Sequence, residues 1–496
     1  MFKLTLIAAL ISVAGTALAN AKQDPEAFAA ALFPAPQATL ATPGAAAKTF
    51  TAYEQIESFV APLAKAAGAQ VGSLLKTAQG REVWAIKFAN PQAKLRVMFI
   101  ARVHGDEPGA SEGALQLIEA LSRGELKGKT GALEILVVPM ANPDGSAAMK
   151  RRTAAGGDIN RDFIKYEFAE TRALQNEIQR FDPHVVVDAH EFTVWGRLGD
   201  QTIAADLMSA GPNEPNLPAA LVALHDQSFR RAIDRELAGA GLRHELYELL
   251  STDKASGKLR VAESATTFVS AKNFHAMGGR VSLLLEGRGI GLGEQHMARR
   301  TLAQFLAMKA IVDTAQAQAD SVRKTLADSR AQIQGLKTWE LERKPIQQQR
   351  DFTLADSASN ALVKVPADFV NRSQGQAAAS VTVPRYYLIP QSQKSTVEEL
   401  ALIGVKATQL GQPLSAEVGV QTVQLSQDGK KLRVKADTAA AKRDFAVGDF
   451  LIDTRQNAAL YLQILEGASP NGLVHTGQFG SAGQVELPFY RYDGSL

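Results

Sequence analysis

The sequence predicts an α/β fold, a mixed and mostly parallel sheet flanked by helices, with a smaller β-rich domain behind it. Three observations carry this. Strand and helix signals alternate from residue 51 to about residue 340, the pattern of a mixed sheet covered by helices. Three apolar strand-like runs each deliver a polar group at their carboxyl end, namely His104, His190 and Glu286. In open α/β sheets ligands bind beyond the carboxyl ends of the strands, so these groups point at one edge. From about Arg343 the texture changes to β-rich stretches broken by Gly, Asp and Asn. At 496 residues the chain exceeds one ordinary core, which argues for two domains.

In chain order, residues 1–19 carry a basic start at Lys3, an apolar run and Ala17-Leu18-Ala19, the pattern of a secretory signal cleaved after Ala19. The chain is therefore expected to be periplasmic or secreted. That run is short for a stable span, and no later stretch reaches about 18 unbroken apolar residues, so no membrane insertion is expected after signal removal. Residues 20–48 form an Ala/Pro-rich leader expected to be extended and partly disordered. The main domain, residues 49–340, opens with an amphipathic helix over Thr51 to Ala69. Strands follow at Val83 to Phe88, Leu95 to Ala101, Leu133 to Val138, Val185 to Asp188 and Val281 to Gly289. Apolar residues at helical period mark Ala110 to Leu121, and Arg299 to Leu336 is a long helical stretch. The tail domain, residues 341–496, has β-rich stretches at Phe352 to Val365, Ala379 to Ile389 and Val418 to Val434, and a helix-like Leu460 to Leu465. It carries no chemical motif and is expected to pack against or restrict the main domain.

Composition narrows the function classes. There is no cysteine, so the chain is neither a lipoprotein nor a disulfide scaffold, and any metal must rest on nitrogen and oxygen ligands. The formal net charge is +3, and nothing in its distribution points to nucleic acid.

The richest stretch is Ala101-Arg102-Val103-His104-Gly105-Asp106-Glu107, a strand running into His-x-x-Glu at the mouth of a helix. An imidazole and a carboxylate three residues apart at a helix start can converge on one ion, and zinc takes that combination. The bland alternative is a solvated loop in which Glu107 only complements the helix dipole. Downstream come Asn142-Pro143-Asp144-Gly145, the segment from Arg151 to Asp162, Val185 to His190-Glu191, and Val281 to Glu286.

In this order, with the Gly80-Arg81-Glu82 lead-in, the chain resembles the zinc carboxypeptidase family of the carboxypeptidase A type over roughly residues 50 to 320. The resemblance implies one zinc ion held by His104, Glu107 and His190, with Glu286 as the base that activates a zinc-bound water. It implies Arg151 as the residue that polarises the scissile carbonyl, or Arg152 if the register slips by one. Asn160 and Arg161 become the clamp for a substrate carboxylate, and Asp158 orients a ligand histidine. The residue types suit these roles independently. Two imidazoles and a carboxylate leave an open fourth position, a nearby carboxylate can shuttle a proton, and a fixed guanidinium can meet an oxyanion or pair bidentately with a carboxylate. Flanking Asp158 and Asp162 could instead tie Arg161 into a surface ion pair. The tail resembles the C-terminal extension of some bacterial members.

Departures from the family pattern keep other readings open. The only tyrosine between His190 and Glu286 is Tyr247, further from the glutamate than the pattern expects, while Phe274 and His275 sit nearer. His-Gly-x-Glu also occurs in deacylases of N-acyl amino acids. The leading reading is an exported metallocarboxypeptidase acting on peptides. The alternatives are a zinc deacylase or amidase acting on acyl-amino-acid or cell-wall peptide substrates, and a non-catalytic binding module. Two further patterns are discounted: Ser111 in a Gly-x-Ser-x-Gly run falls inside a helix rather than at a nucleophile elbow, and the glycines from Gly287 to Gly293 lack dinucleotide-loop spacing and read as a flexible rim around Glu286.

Overall fold

The computed structural model describes residues 32–45, 48–64, 68–126, 128–194, 198, 201–253, 255–429 and 431–494. The signal-like segment, residues 1–19, lies outside the described residues. The strands that position the site are, in chain order, β1 (Ala69–Lys76), β2 (Glu82–Phe88), β3 (Leu95–Ala101), β4 (Leu133–Val138), β5 (Val185–Thr193), β6 (Gln201–Ile203) and β7 (Leu207–Ala210). They continue as β8 (His244–Leu246), β9 (Glu248–Thr252), β10 (Leu259–Glu263), β11 (Val281–Ile290), β12 (Thr338–Asp356) and β13 (Ala361–Thr382).

An eight-stranded mixed sheet runs in the order β1-β2-β4-β3-β5-β11-β7-β8. Its central strands β4, β3, β5 and β11 are parallel to one another. Antiparallel β2 and β7 flank them. β3 and β5 are almost wholly buried, as parallel strands with both faces covered must be. Alternate residues serve opposite faces. Val97 and Phe99 join the large core with the helices Pro108–Ser122 and Met297–Ala317. Met98 and Ile100 meet Leu174, Ile178 and Phe181 of the helix Ala169–Phe181 on the other side.

Several expectations are corrected. The opening helix spans Tyr53–Leu63, not Thr51 to Ala69. Pro62 stands in its last turn and removes a backbone donor, and β1 begins at Ala69. The helical stretch from Arg299 is two helices, Met297–Ala317 and Ala319–Gln334, broken at Gln318. Part of the leader is packed rather than loose. Phe33 is buried, with the Arg288 guanidinium 4.0 Å and that of Arg243 5.3 Å from its ring centre, an arrangement stabilised by cation–π attraction.

The expected division at residues 340 and 341 falls inside β12. A five-stranded sheet in the order β6-β12-β13-β10-β9 draws strands from both sides of it. The long β12–β13 hairpin is thus built into the main domain, and Arg350 reaches back to pair with Glu248. A separate seven-stranded sheet holds the remaining tail, including the hairpin of Leu414–Asp428 and Lys431–Phe445.

Candidate active site

The chain leaves β3 through Arg102, whose backbone is left-handed at φ 55°, a conformation that costs energy in a non-glycine residue. The buried Arg102 guanidinium donates to the Gly105 carbonyl at 3.1 Å, holding the turn closed. Gly105 lies so close to the next loop that a Cβ would stand 2.0 Å from the Gly145 carbonyl carbon. Glycine is therefore required between His104 and the helix. Pro108 starts the helix Pro108–Ser122 with its backbone angle already set. Glu107, at the cap position, turns its carboxylate toward the imidazoles and is 2% exposed.

His190 and Glu286 are brought together by the sheet. In the β5–β11 register His190 pairs with Glu286, so both side chains leave the same face. His104 Nδ1 lies 2.8 Å from Glu107 Oε1, His190 Nδ1 lies 2.9 Å from Glu107 Oε2, and the two ring nitrogens are 3.1 Å apart. Two imidazole nitrogens cannot both point protons at each other across that gap. Zinc bonds of about 2.0–2.1 Å in a tetrahedral arrangement place neighbouring ligand atoms roughly 3.3 Å apart, close to what is seen. This buried His-Glu-His group can hold one metal ion.

Each imidazole is backed by a carboxylate at its far nitrogen, as metal-binding histidines require. Asp158 Oδ1 lies 3.2 Å from His104 Nε2, and Asp188 Oδ2 lies 2.8 Å from His190 Nε2. Protons on the Nε2 atoms leave both Nδ1 lone pairs facing the ion site. Burial works to raise the Glu107 pKa, but the adjacent His190 and His104 outweigh it and hold the carboxyl at about 2. Burial dominates at Glu286 and pushes it up to about 7 against the pull of His190.

Arg151 borders the same cleft, its Nη1 3.6 Å from Glu107 Oε1 and its Nη2 3.2 Å from Asp158 Oδ2. Arg152 turns outward and donates to the Gly156 carbonyl at 2.9 Å. The Asn160 carboxamide sits 3.2 Å from His190 Nε2 and accepts from the Ala271 amide at 3.4 Å. Arg161 is exposed at the mouth and enters no ion pair among the described residues. Asp158 is engaged by His104 and Arg151, and Asp162 caps the Glu167 and Phe168 amides at 3.0 Å. His104, Glu107, Arg151, Asn160, Arg161, His190 and Glu286 line one cleft of about 370 Å³.

Some residues of the site escape a sequence reading. Asp188 is one, although its place two residues before His190 on a strand puts both on one face. Tyr247, which the sequence names but cannot place, also lines the cleft. It interacts with Glu286, whose charge, together with burial, holds the phenol protonated. By contrast Phe274 and His275 are core residues, Phe274 stacked on Phe163 at 4.7 Å and His275 edge-on to the same ring at 6.0 Å. Nor do the glycines after Glu286 all form a flexible rim. Gly287 and Gly289 belong to β11, where a Cβ would stand 2.6 Å from the Gln304 amide nitrogen and 2.0 Å from the Glu191 carboxylate. That carboxylate is locked in a buried pair with Arg300. Ser111 is fully buried in its helix.

A family model described as zinc carboxypeptidase matches residues 58–186. Carboxypeptidase 2 of Trichophyton tonsurans is 30% identical over 417 residues, covering 81% of this chain and 77% of the relative. Probable carboxypeptidase 2 of Arthroderma benhamiae is 31% identical over 395 residues, covering 76% and 74%. These relatives are fungal, whereas the tail had drawn a comparison with bacterial members. The first alignment is longer than the whole stretch ahead of the tail, so the likeness reaches into it. Among solved structures, a metallo-carboxypeptidase from Burkholderia cenocepacia aligns with a TM-score of 0.41 and 20% identity, covering 53% of this chain and 69% of that one.

Proposed function

The chain belongs to the zinc carboxypeptidase family and is a zinc metallopeptidase, and from that premise we propose that it removes C-terminal residues from peptides with Glu286 as the proton carrier. The observation that carries this reading is the convergence of the two Nδ1 atoms and the Glu107 carboxylate, in contacts of 2.8 to 3.1 Å, with Glu286 paired in register beside His190. His104, Glu107 and His190 are the residues that would hold the ion. When bound, zinc supplies Lewis-acid polarisation of a carbonyl and lowers the pKa of water to about 7.

The chain's own residues do the rest. Asp158 and Asp188 accept from the Nε2 protons and fix both imidazoles in the tautomer that frees Nδ1. The Glu286 carboxylate takes the proton of the attacking water and returns it to the leaving nitrogen. Arg151 donates to the oxygen on which negative charge develops. The Arg161 guanidinium, unpaired with any acid among the described residues, receives the terminal carboxylate of the peptide, with Asn160 beside it. The Tyr247 hydroxyl, kept protonated by Glu286, is available to donate to the bound peptide.

The N-terminal pattern through Ala19 supports export as part of this proposal. The deacylase and cell-wall amidase readings draw no support from the relatives, which are named carboxypeptidases. The test is release of free amino acids by the zinc-loaded protein from peptides that differ only in a free or amidated C-terminus. The expected result is release from the free acids alone, abolished by Glu286→Gln. Equal release from the amidated peptides would refute the carboxylate clamp.

A further inference from the structure

One wall of the cleft contains a buried cation that the proposed reaction does not use. Lys272 lines the cleft and is 1% exposed. Its ammonium carries three N–H donors. The described acceptors are two neutral carboxamide oxygens, Asn213 Oδ1 and Asn273 Oδ1, the latter at 3.3 Å. Both amides are fixed by the loop that forms the wall: Asn213 donates to the Ser264 carbonyl at 3.0 Å, and Asn273 to the carbonyls of Ala265 at 3.2 Å and Thr267 at 2.9 Å. The ammonium is thus held in place rather than free to swing out to water.

No acid among the described residues forms an ion pair with it. Glu263 acts on it only through space, and the Glu263 carboxylate accepts from the Arg372 and Ser373 amides at 2.8 and 2.7 Å. The acids that line the cleft are otherwise engaged: Glu107 with the imidazoles, Glu191 with Arg300, Glu248 with Arg350, and Glu286 in the reaction. Lys272 also stands in the first turn of the helix Ala271–Met277, the end where the helix dipole disfavours a cation. Burial lowers its pKa to about 7. A buried charge with neutral partners and an adverse dipole is costly, and a ligand that brings an anion would offset that cost.

The geometry points to Lys272 as the specificity-determining residue of the cleft, receiving the side-chain carboxylate of a C-terminal aspartate or glutamate while Arg161 holds the terminal carboxylate. This inference rests on the carboxypeptidase reading above. Arg161 and Lys272, the cleft cations without an acidic partner among the described residues, then receive one carboxylate each. Thr267 and Ser270 line the same cleft.

The test compares kcat/KM of the zinc-loaded wild-type protein on peptides identical except for a C-terminal Glu, Gln, Phe or Arg. The expected result is a preference for Glu over Gln of roughly tenfold or more, since a site built around a buried polar group rejects ligands that leave it unpaired. Lys272→Met should bring that ratio close to one. Cleavage of all four peptides with Gln equal to or better than Glu would overturn the role of Lys272 and leave the carboxypeptidase reading standing. No cleavage of any free-terminus peptide would overturn both. If Lys272→Met fails to fold, the wild-type Glu-to-Gln ratio alone decides, because a purely structural lysine predicts no such preference.

Discussion

The ion-binding end of the cleft takes its groups from the ends of three adjacent parallel strands, β3, β5 and β11, and each histidine there is backed by its own acid. The rest of the lining is put together differently. It combines residues of β6, β7 and β9 with the loop from Ser264 to Ser270 and Lys272, and the sheet that holds β6 and β9 is completed by the β12–β13 hairpin from beyond residue 337. One end joins a local His-x-x-Glu spacing to groups at the carboxyl ends of neighbouring parallel strands within a single sheet. The other depends on long-range pairing, such as Arg350 with Glu248 and Glu263 with the Ser373 amide. Chemistry is accordingly expected to reside in the first and substrate choice in the second. Substitutions at the ion end should change kcat or metal affinity, and substitutions in the wall should change preference or stability.

The largest effect should come from Glu286→Gln, which keeps shape but removes the proton carrier. Turnover is expected to fall by about 10² to 10⁴ with zinc content unchanged. A variant that turns over within a fewfold of the wild type would move the base elsewhere. Next is Arg151→Ala, expected to lower kcat by about 10² to 10³ with a smaller change in KM. Arg152→Ala should change little, since its guanidinium faces Gly156. Equal losses at both positions would mean that the pair acts through folding of the loop.

A third change sharpens the account of how the ion end is supported. Asp188→Asn should weaken zinc binding by about 10- to 100-fold, measured by competition with a chelator, while substrate preference stays fixed. The Ala variant of Asp188 should do at least as much. Unchanged zinc affinity in both would remove Asp188 from the site's design.

The smallest effect on turnover is expected behind the wall, at Glu214. This buried carboxyl is pushed up to about 7, chiefly by burial, against hydrogen bonds from Asn216 and Gln463. Because the folded-state pKa lies above the ordinary value of 4.5, its contribution favours folding fully below about pH 4.5. That contribution is lost as the pH rises through about 7. The whole span amounts to about 3 kcal/mol at most. Urea unfolding of the wild type and Glu214→Gln at pH 5 and pH 8 should show the wild type losing more stability across that interval. Parallel losses in the two proteins would contradict the assignment.

The same contrast explains how much of the molecule could be read in advance. His104 and Glu107 were legible because a strand, a tight turn and a proline-started helix leave few places for a three-residue spacing to point. His190 and Glu286 followed because apolar strands deliver their last polar residue to the carboxyl edge. Asp188 could have been found from the two-residue period of its strand. Tyr247 could not. Its position depends on β8 pairing with β7 and β7 with β11, which carries it across 39 positions of sequence to Glu286. The wall was illegible for the same reason. Only Phe352 to Val365 and Ala379 onward in β12 and β13 read as β-rich, and nothing local says that they join β6 and β10 instead of the tail. Lys272 reads as an ordinary helix-start lysine until the fold buries it among carboxamides.

The most direct test of the central claim is zinc analysis of the purified wild-type protein and its His190→Ala variant, with release of a C-terminal residue followed on the same samples. The account predicts one zinc per wild-type chain, and loss of both zinc and release in the variant. Full zinc in His190→Ala, or release that survives zinc removal, would contradict it.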